Sequence, residues 1–203
     1  MGVLKELVET GKIKYIGLSE CSSDTLRRAY AVHPVAAVQI EYSPFCLEIE
    51  HEDIGLLKTC RELGVAIVCY SPLGRGILTG QIKSPDDLEA NDFRRLMPRF
   101  SKENFSKNLE LVDTLSAIAK RKNCTTGQLT LAWILTQGED FILIPGTTKI
   151  KNLEENIGAL DVKLTNDEIK EIRNACEKAN IIGGRYPEAF SSALFGNSAP
   201  KKN

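Results

Sequence analysis

The stretch "VAIVCYSPLGRGILTG", residues 65–80, sets an unbroken apolar run against a polar loop that carries Gly74 and Gly76. Val65 to Cys69 is short and rich in β-branched residues, which suits a strand covered on both faces and hence a parallel sheet. Glycines just past such a strand let backbone N–H groups approach a bound group closely. In α/β proteins, ligands sit beyond the carboxyl ends of the strands. The loop admits a second reading, in which glycine serves only to turn the chain from strand to helix.

Working outward, strand and helix alternate. Residues 3–12 carry apolar residues at helical spacing and stop at Gly11, and 13–19 (IKYIGLS) read as a strand. Serines open a helix over 22–32, which His33-Pro34 closes; 36–43 (AAVQIEYS) is the next strand. An amphipathic helix over 53–63 ends at Gly64 and leads into the quoted strand. Residues 81–108 are polar and punctuated by proline, and a loop of that length is functional or mobile in compact domains. A helix pair (109–123, 126–138), a fourth strand (141–147) and helices over 151–160 and 164–179 complete the pattern. In the last helix Thr165 caps, with Glu168 at capping-box spacing. The division is therefore a domain over 1–180 and a tail over 181–203, for which no structure is predicted. Right-handed crossovers make the four strands a parallel sheet. Four are too few for a closed eight-stranded barrel, leaving a small doubly wound sheet or half a barrel.

Composition narrows the function classes. With 203 residues, 42% hydrophobic, 26% charged and a net charge of −1, the chain can bury a core and offers no electrostatic footprint for nucleic acid. No apolar run is long enough to span a bilayer, and the opening "MGVLKELVET" lacks the apolar core of a signal peptide, so the expectation is a cytoplasmic protein without membrane partners. None of the six cysteines forms a C-x-x-C pair; they read as reduced thiols, with Cys69 a small buried hydrophobe, and no metal site is expected. His33 and His51 are expected at the surface.

Four segments, "KIKYIGLSE", "AVQIEYSP", "YSPLGRGILTG" and "IPGTTKIKNLEENIGAL", in this order and at these separations, resemble the second half of an aldo-keto reductase of the subgroup with "YSPLGRG" after its seventh strand. The late "KLTNDEIKEI" resembles that family's closing segment, so the likeness runs over about residues 2–180. It implies the C-terminal half of a TIM (β/α)8 barrel, strands five to eight, reducing aldehydes and ketones with NADPH. Met1 falls in what resembles the helix after strand four, so an internal start or an incomplete gene model is expected. The family's catalytic Asp, proton-donating Tyr, Lys and His lie on earlier strands and have no counterpart here. The resemblance assigns no catalytic residue to this chain.

It does assign a cofactor site. Ser19 and Gln39 match the positions that bind the nicotinamide carboxamide, and Tyr70 matches the ring that stacks on the nicotinamide. Glu20 stands where many relatives place Asn. Ser71, Leu73, Gly74 and Gly76 resemble the segment that wraps the pyrophosphate, and Arg99 in "PRFSKEN" is the anion contact expected from the long loop. Gly146, Thr147 and Thr148 would meet the 2′-phosphate at a helix N-terminus. Asn152, Glu155 and Asn156 would face adenine and ribose. Many relatives carry Lys or Arg where Thr148 and Asn152 stand, so Lys149 and Lys151 are the substitutes for that charge, and NADP is expected over NAD. The implied partner is a small carbonyl substrate. Exposed half-barrel edges imply self-association. The competing expectation is a non-catalytic half-barrel that acts as an interaction fragment.

Overall fold

A computed structural model describes residues 1–199. Four parallel strands lie side by side in chain order: β1 (Gly17–Ser19), β2 (Ala37–Glu41), β3 (Ala66–Tyr70) and β4 (Phe141–Leu143). Their period of two divides the sheet into unlike faces. Val38, Ile40, Ile67, Cys69 and Phe141 are buried. Gly17, Ser19, Gln39 and Ile142 are exposed, and Ser19, Gln39, Val68 and Ile142 fall in register as one row across that face. Contacts of α3 (Leu56–Leu63) with β3 and of α5 (Thr126–Leu135) with β4 place helices on the buried side. A doubly wound sheet would bury both faces. Among the described residues, one face stands open.

The remaining helices are α1 (Gly2–Glu9), α2 (Ser23–Tyr30), α4 (Lys102–Arg121), α6 (Ile150–Ile157) and α7 (Asn166–Lys178). Three of these N-termini, those of α2, α5 and α7, are closed by side chains. Ser22 accepts from the Thr25 amide, and Thr125/Gln128 and Thr165/Glu168 form complete capping boxes. The core joins Leu111, Val112, Leu115 and Ile118 of α4 to Leu129, Trp133 and Ile134 of α5 and Ile172 of α7. By contrast, Ile150, Leu153, Ile157 and Leu160 lie on one exposed side of α6 and the turn after it. No helix among the described residues is long and apolar enough to cross a membrane.

Several sequence boundaries move. The first strand begins at Gly17 rather than 13, because the amides of Lys12 and Ile13 close the end of α1 on Leu7 O. Gly55, at φ +58°, delays α3 to Leu56. The polar segment 81–108 is not one long loop: it folds into three short 3-10 turns (Pro85–Asp87, Phe93–Leu96, Pro98–Phe100), and α4 starts at Lys102. Phe105 and Asn108 are buried there, which continues the apolar stripe of α4 backwards. The described part of the tail packs on the domain: Cys21 and Gly196 form a parallel bridge, and Arg28 donates to the carbonyls of Ser198 and Ala199. The six cysteines are free thiols, and burial pushes the Cys69 thiol up to about 12. His51 is exposed and His33 half-buried.

Candidate functional site

The loop after β3 carries four positive φ angles within six residues: Ser71 (+48°), Gly74 (+55°), Arg75 (+57°) and Gly76 (+96°). Two of these are not glycine, and backbone held in that region costs of order 1–3 kcal/mol each. Such strain persists only where the surroundings enforce it. Here they do: Gly74 N donates to Ser71 O (2.8 Å) and Gly76 N to Leu73 O (2.9 Å). At Gly76 a Cβ would stand 3.2 Å from Arg94 Nη1, so Arg94 lies directly over the glycine.

This loop and the turn after β4 wall a groove of about 420 Å³ beyond the carboxyl ends of the strands. Ser71, Leu73 and Gly76 line one side, and Gly146, Thr147, Asn152, Glu155 and Asn156 the other. α6 starts here without a side-chain cap, because Lys149 offers no acceptor. The positive end of its dipole therefore has no side-chain acceptor from the N-cap, and Asn152 in its first turn lines the groove. Thr147 Oγ1 accepts from Lys149 N (3.1 Å), and Glu155 Oε1 accepts from Thr125 Oγ1 (2.8 Å). Eight of the sequence-assigned residues thus meet in one groove.

Others lie elsewhere. Gly74 is buried beneath the loop, and Thr148 is exposed beside the groove. Ser19 and Gln39 sit on the open sheet face, paired in register. Arg99 does not line the groove. It is 8% exposed, and it donates from Nε to Gly183 O (3.1 Å) and pairs with Glu48 Oε1 (3.5 Å). Arg94 is the long-loop cation that does line it, held by Asp92 (2.6 Å) and donating to Arg75 O (2.9 Å). Its signal in the sequence was the short-range pair Asp92-x-Arg94, in which Asp92 also takes the Arg94 amide.

Tyr70 ends β3 beside a second, apolar pocket of about 300 Å³, lined also by Glu20, Phe93, Tyr186, Phe190, Ala193 and Leu194. Its hydroxyl donates to Glu20 Oε1 (2.6 Å). Burial, and then this hydrogen bond to a carboxylate, raise its pKa well above the ordinary tyrosine range. Tyr42 is fully buried, bonded to Glu50 and also raised. Neither is prepared to release a proton near neutral pH.

Beneath lies a cluster of charges. Glu41, 2% exposed, bonds Arg75 Nη2 (2.9 Å) and lies 3.8 Å from Arg185. Burial raises the Glu41 carboxyl while Arg75, Arg185 and Arg99 oppose the shift.

The chain is 60% identical over 200 residues to the aldo-keto reductase yakc of Schizosaccharomyces pombe, whose name specifies NADP(+), covering 98% of this chain and 59% of that protein. It is 61% identical over 185 residues to the aldo-keto reductase str7 of Strobilurus tenacellus, covering 91% of this chain and 55% of that one. The chain spans a little over half the length of the curated relatives it matches. Among solved structures, the glycerol dehydrogenase of Gluconobacter oxydans superposes with a TM-score of 0.79 at 25% identity, over 89% of this chain and 54% of that one. A thermostable aldo-keto reductase solved with the inhibitor epalrestat gives 0.62 at 28% identity, over 85% and 52%. The profile of the Aldo/keto reductase family matches residues 1–177, and the chain belongs to that family.

Proposed function

We propose that this chain is the cofactor-holding, C-terminal half of an NADPH-dependent carbonyl reductase barrel of the "YSPLGRG" subgroup, with β1–β4 as strands five to eight. The observation that carries this reading is the groove shared by the strained β3 loop and the uncapped start of α6. Its donors fit a dinucleotide phosphate: backbone amides, the hydroxyls of Ser71 and Thr147, a helix N-terminus and the Arg94 guanidinium. Bound NADPH supplies the hydride that reduces an aldehyde or ketone. Ser71, Leu73, Gly74 and Gly76 would enclose the pyrophosphate. Gly146, Thr147 and Thr148, with Lys149 and Lys151, would take the 2′-phosphate, and Asn152, Glu155 and Asn156 the adenosine. Tyr70 would stack on the nicotinamide, with Ser19 and Gln39 toward its amide. Arg99, bonded within the fold, would support the loop.

Among the described residues no tyrosine pairs with lysine and histidine as a general acid. Buried Tyr42 and half-buried Tyr70 have hydroxyls tied to carboxylates and raised pKa values. Turnover then requires a complementary half-barrel carrying Asp, Tyr, Lys and His. The open sheet face and the unpaired sides of β1 and β4 are where such a half, or another copy of this chain, would seat. The same surface supports a second reading, a half-barrel that serves as an interaction fragment. Fluorescence titration with NADPH and NADH tests the first: binding that favours NADPH and is lost in Thr147→Asp supports it. Absence of dinucleotide binding removes it.

A further inference from the structure

A short tail segment cannot bury an arginine without partners for its charge, and Arg185 has them. It is 2% exposed, among the largest fully buried side chains described. Nη1 and Nη2 grip Glu20 in a two-point pairing (2.9 and 3.2 Å), and Nε lies 3.0 Å from Glu48. The Phe195 ring covers the guanidinium, 4.9 Å from its carbon to the ring centroid. Upstream, buried Asn108 takes both backbone groups of Ile182 (2.8 and 2.9 Å). Gly183, at φ +95°, lies so close to Pro98 and Arg99 that a Cβ would stand 2.7–2.9 Å from their backbone. The tail is docked by shape as well as by charge.

What this docking fixes is Tyr70. The Glu20 oxygen that Arg185 grips is the one that accepts the Tyr70 hydroxyl, and Arg185 Nη1 is itself 3.5 Å from that hydroxyl. Tyr186, the next residue, places its own hydroxyl 3.5 Å away and stacks its ring on Arg75, while Arg185 O accepts from Arg75 Nη1 (2.6 Å). An arginine–carboxylate fork is directional, so it holds Glu20 in one rotamer, and Glu20 holds the hydroxyl end of the Tyr70 side chain. We propose that Arg185 is a positioning residue for the nicotinamide end of the cofactor: acting through Glu20, it fixes Tyr70 in the orientation in which the ring can be stacked upon. This deepens the dinucleotide reading and rests on it. The adenosine-phosphate groove meets Arg185 through Arg75, which lines it and donates to the Arg185 carbonyl, a backbone contact that a side-chain substitution at 185 retains.

The test separates the two ends of the ligand. The full chain is titrated with NADPH and with adenosine 2′,5′-bisphosphate, which lacks nicotinamide. In Arg185→Met, NADPH affinity falls by about five- to tenfold, the worth of one aromatic stacking contact, while the bisphosphate binds as before. Arg185→Lys, which keeps the charge, recovers part of the loss. Independently of any ligand, the Tyr70 resonance of 3-fluorotyrosine-labelled protein, assigned by Tyr70→Phe, is single and narrow in the wild type. It shifts or broadens in Arg185→Met. Glu20→Gln breaks the fork while retaining an acceptor for Tyr70 and carries the same test if Arg185→Met does not fold. Equal loss for both ligands, or an unmoved Tyr70 resonance, overturns the proposal and leaves the dinucleotide reading standing. A wild type that binds neither ligand overturns both.

Discussion

Closing the exposed sheet face with charge should dissociate the chain from its copies. The accessible surface is 11,725 Å², about 2,300 Å² more than the ~9,400 Å² of a compact monomer of 22.4 kDa. An excess of that order matches what obligate partners hide from water. Apolar residues without cover include Ile142 on the sheet, Ile144 just past β4, and Ile150, Leu153, Ile157 and Leu160 along α6 and the turn after it. Ile142 is 50% exposed, in register with Val68, so an occupant would bury its second half for about 1 kcal/mol. Lys in its place forfeits that contribution and adds the cost of a desolvated charge. In a two-fold pairing each substitution counts twice, giving at least ~2 kcal/mol, or about thirtyfold in dissociation constant. Sedimentation velocity across the micromolar range should show the wild type above monomer mass and Ile142→Lys at it. A wild type that sediments as a monomer, with one sharp unfolding transition, refutes the reasoning.

Other outcomes follow from single contacts. Thr165→Ala removes the Thr165/Glu168 capping box of α7 and should cost about 1 kcal/mol by urea denaturation. Gly76→Ala puts a Cβ 3.2 Å from Arg94 Nη1 at a φ of +96°, and should weaken NADPH binding by titration more than it lowers the melting temperature. The Arg94 guanidinium holds the Asp92 carboxyl down at about 2, below the ordinary ~3.9 of a free aspartate. The stabilisation from that pair is therefore present above pH ~4 and is lost as pH falls toward 2. Asp92→Asn should flatten this part of the acid-denaturation curve.

The strands and most helix ends were legible because each has a local cause: the β-branched run of 65–69, the caps at Ser22, Thr125 and Thr165, and the stop at Gly64. The start of α4 was hidden because Asn108 reads as a surface residue. It is buried only because its amide satisfies Ile182 and Arg99, and Ile182 lies 74 positions away. Arg185 was hidden for the same reason at longer range. An arginine after two glycines reads as solvated tail, and its partner Glu20 stands 165 positions earlier. Arg99 and Arg94 carry the same charge in the same loop, and periodicity does not say which one the fold consumes. The groove was more legible than its surroundings, since its walls are the two strand-to-helix turns that carry the glycines.

Whether the chain holds the cofactor and leaves the proton donor to another half is tested most directly by turnover. NADPH oxidation is followed with a panel of aromatic and aliphatic aldehydes, using the purified chain alone and then the chain mixed with the complementary N-terminal half of a full-length relative. General acid–base catalysis contributes typically about 10²–10⁴-fold, so the chain alone should bind NADPH with negligible turnover and the mixture should turn over. Robust turnover by the chain alone, indifferent to the added half, would contradict the account.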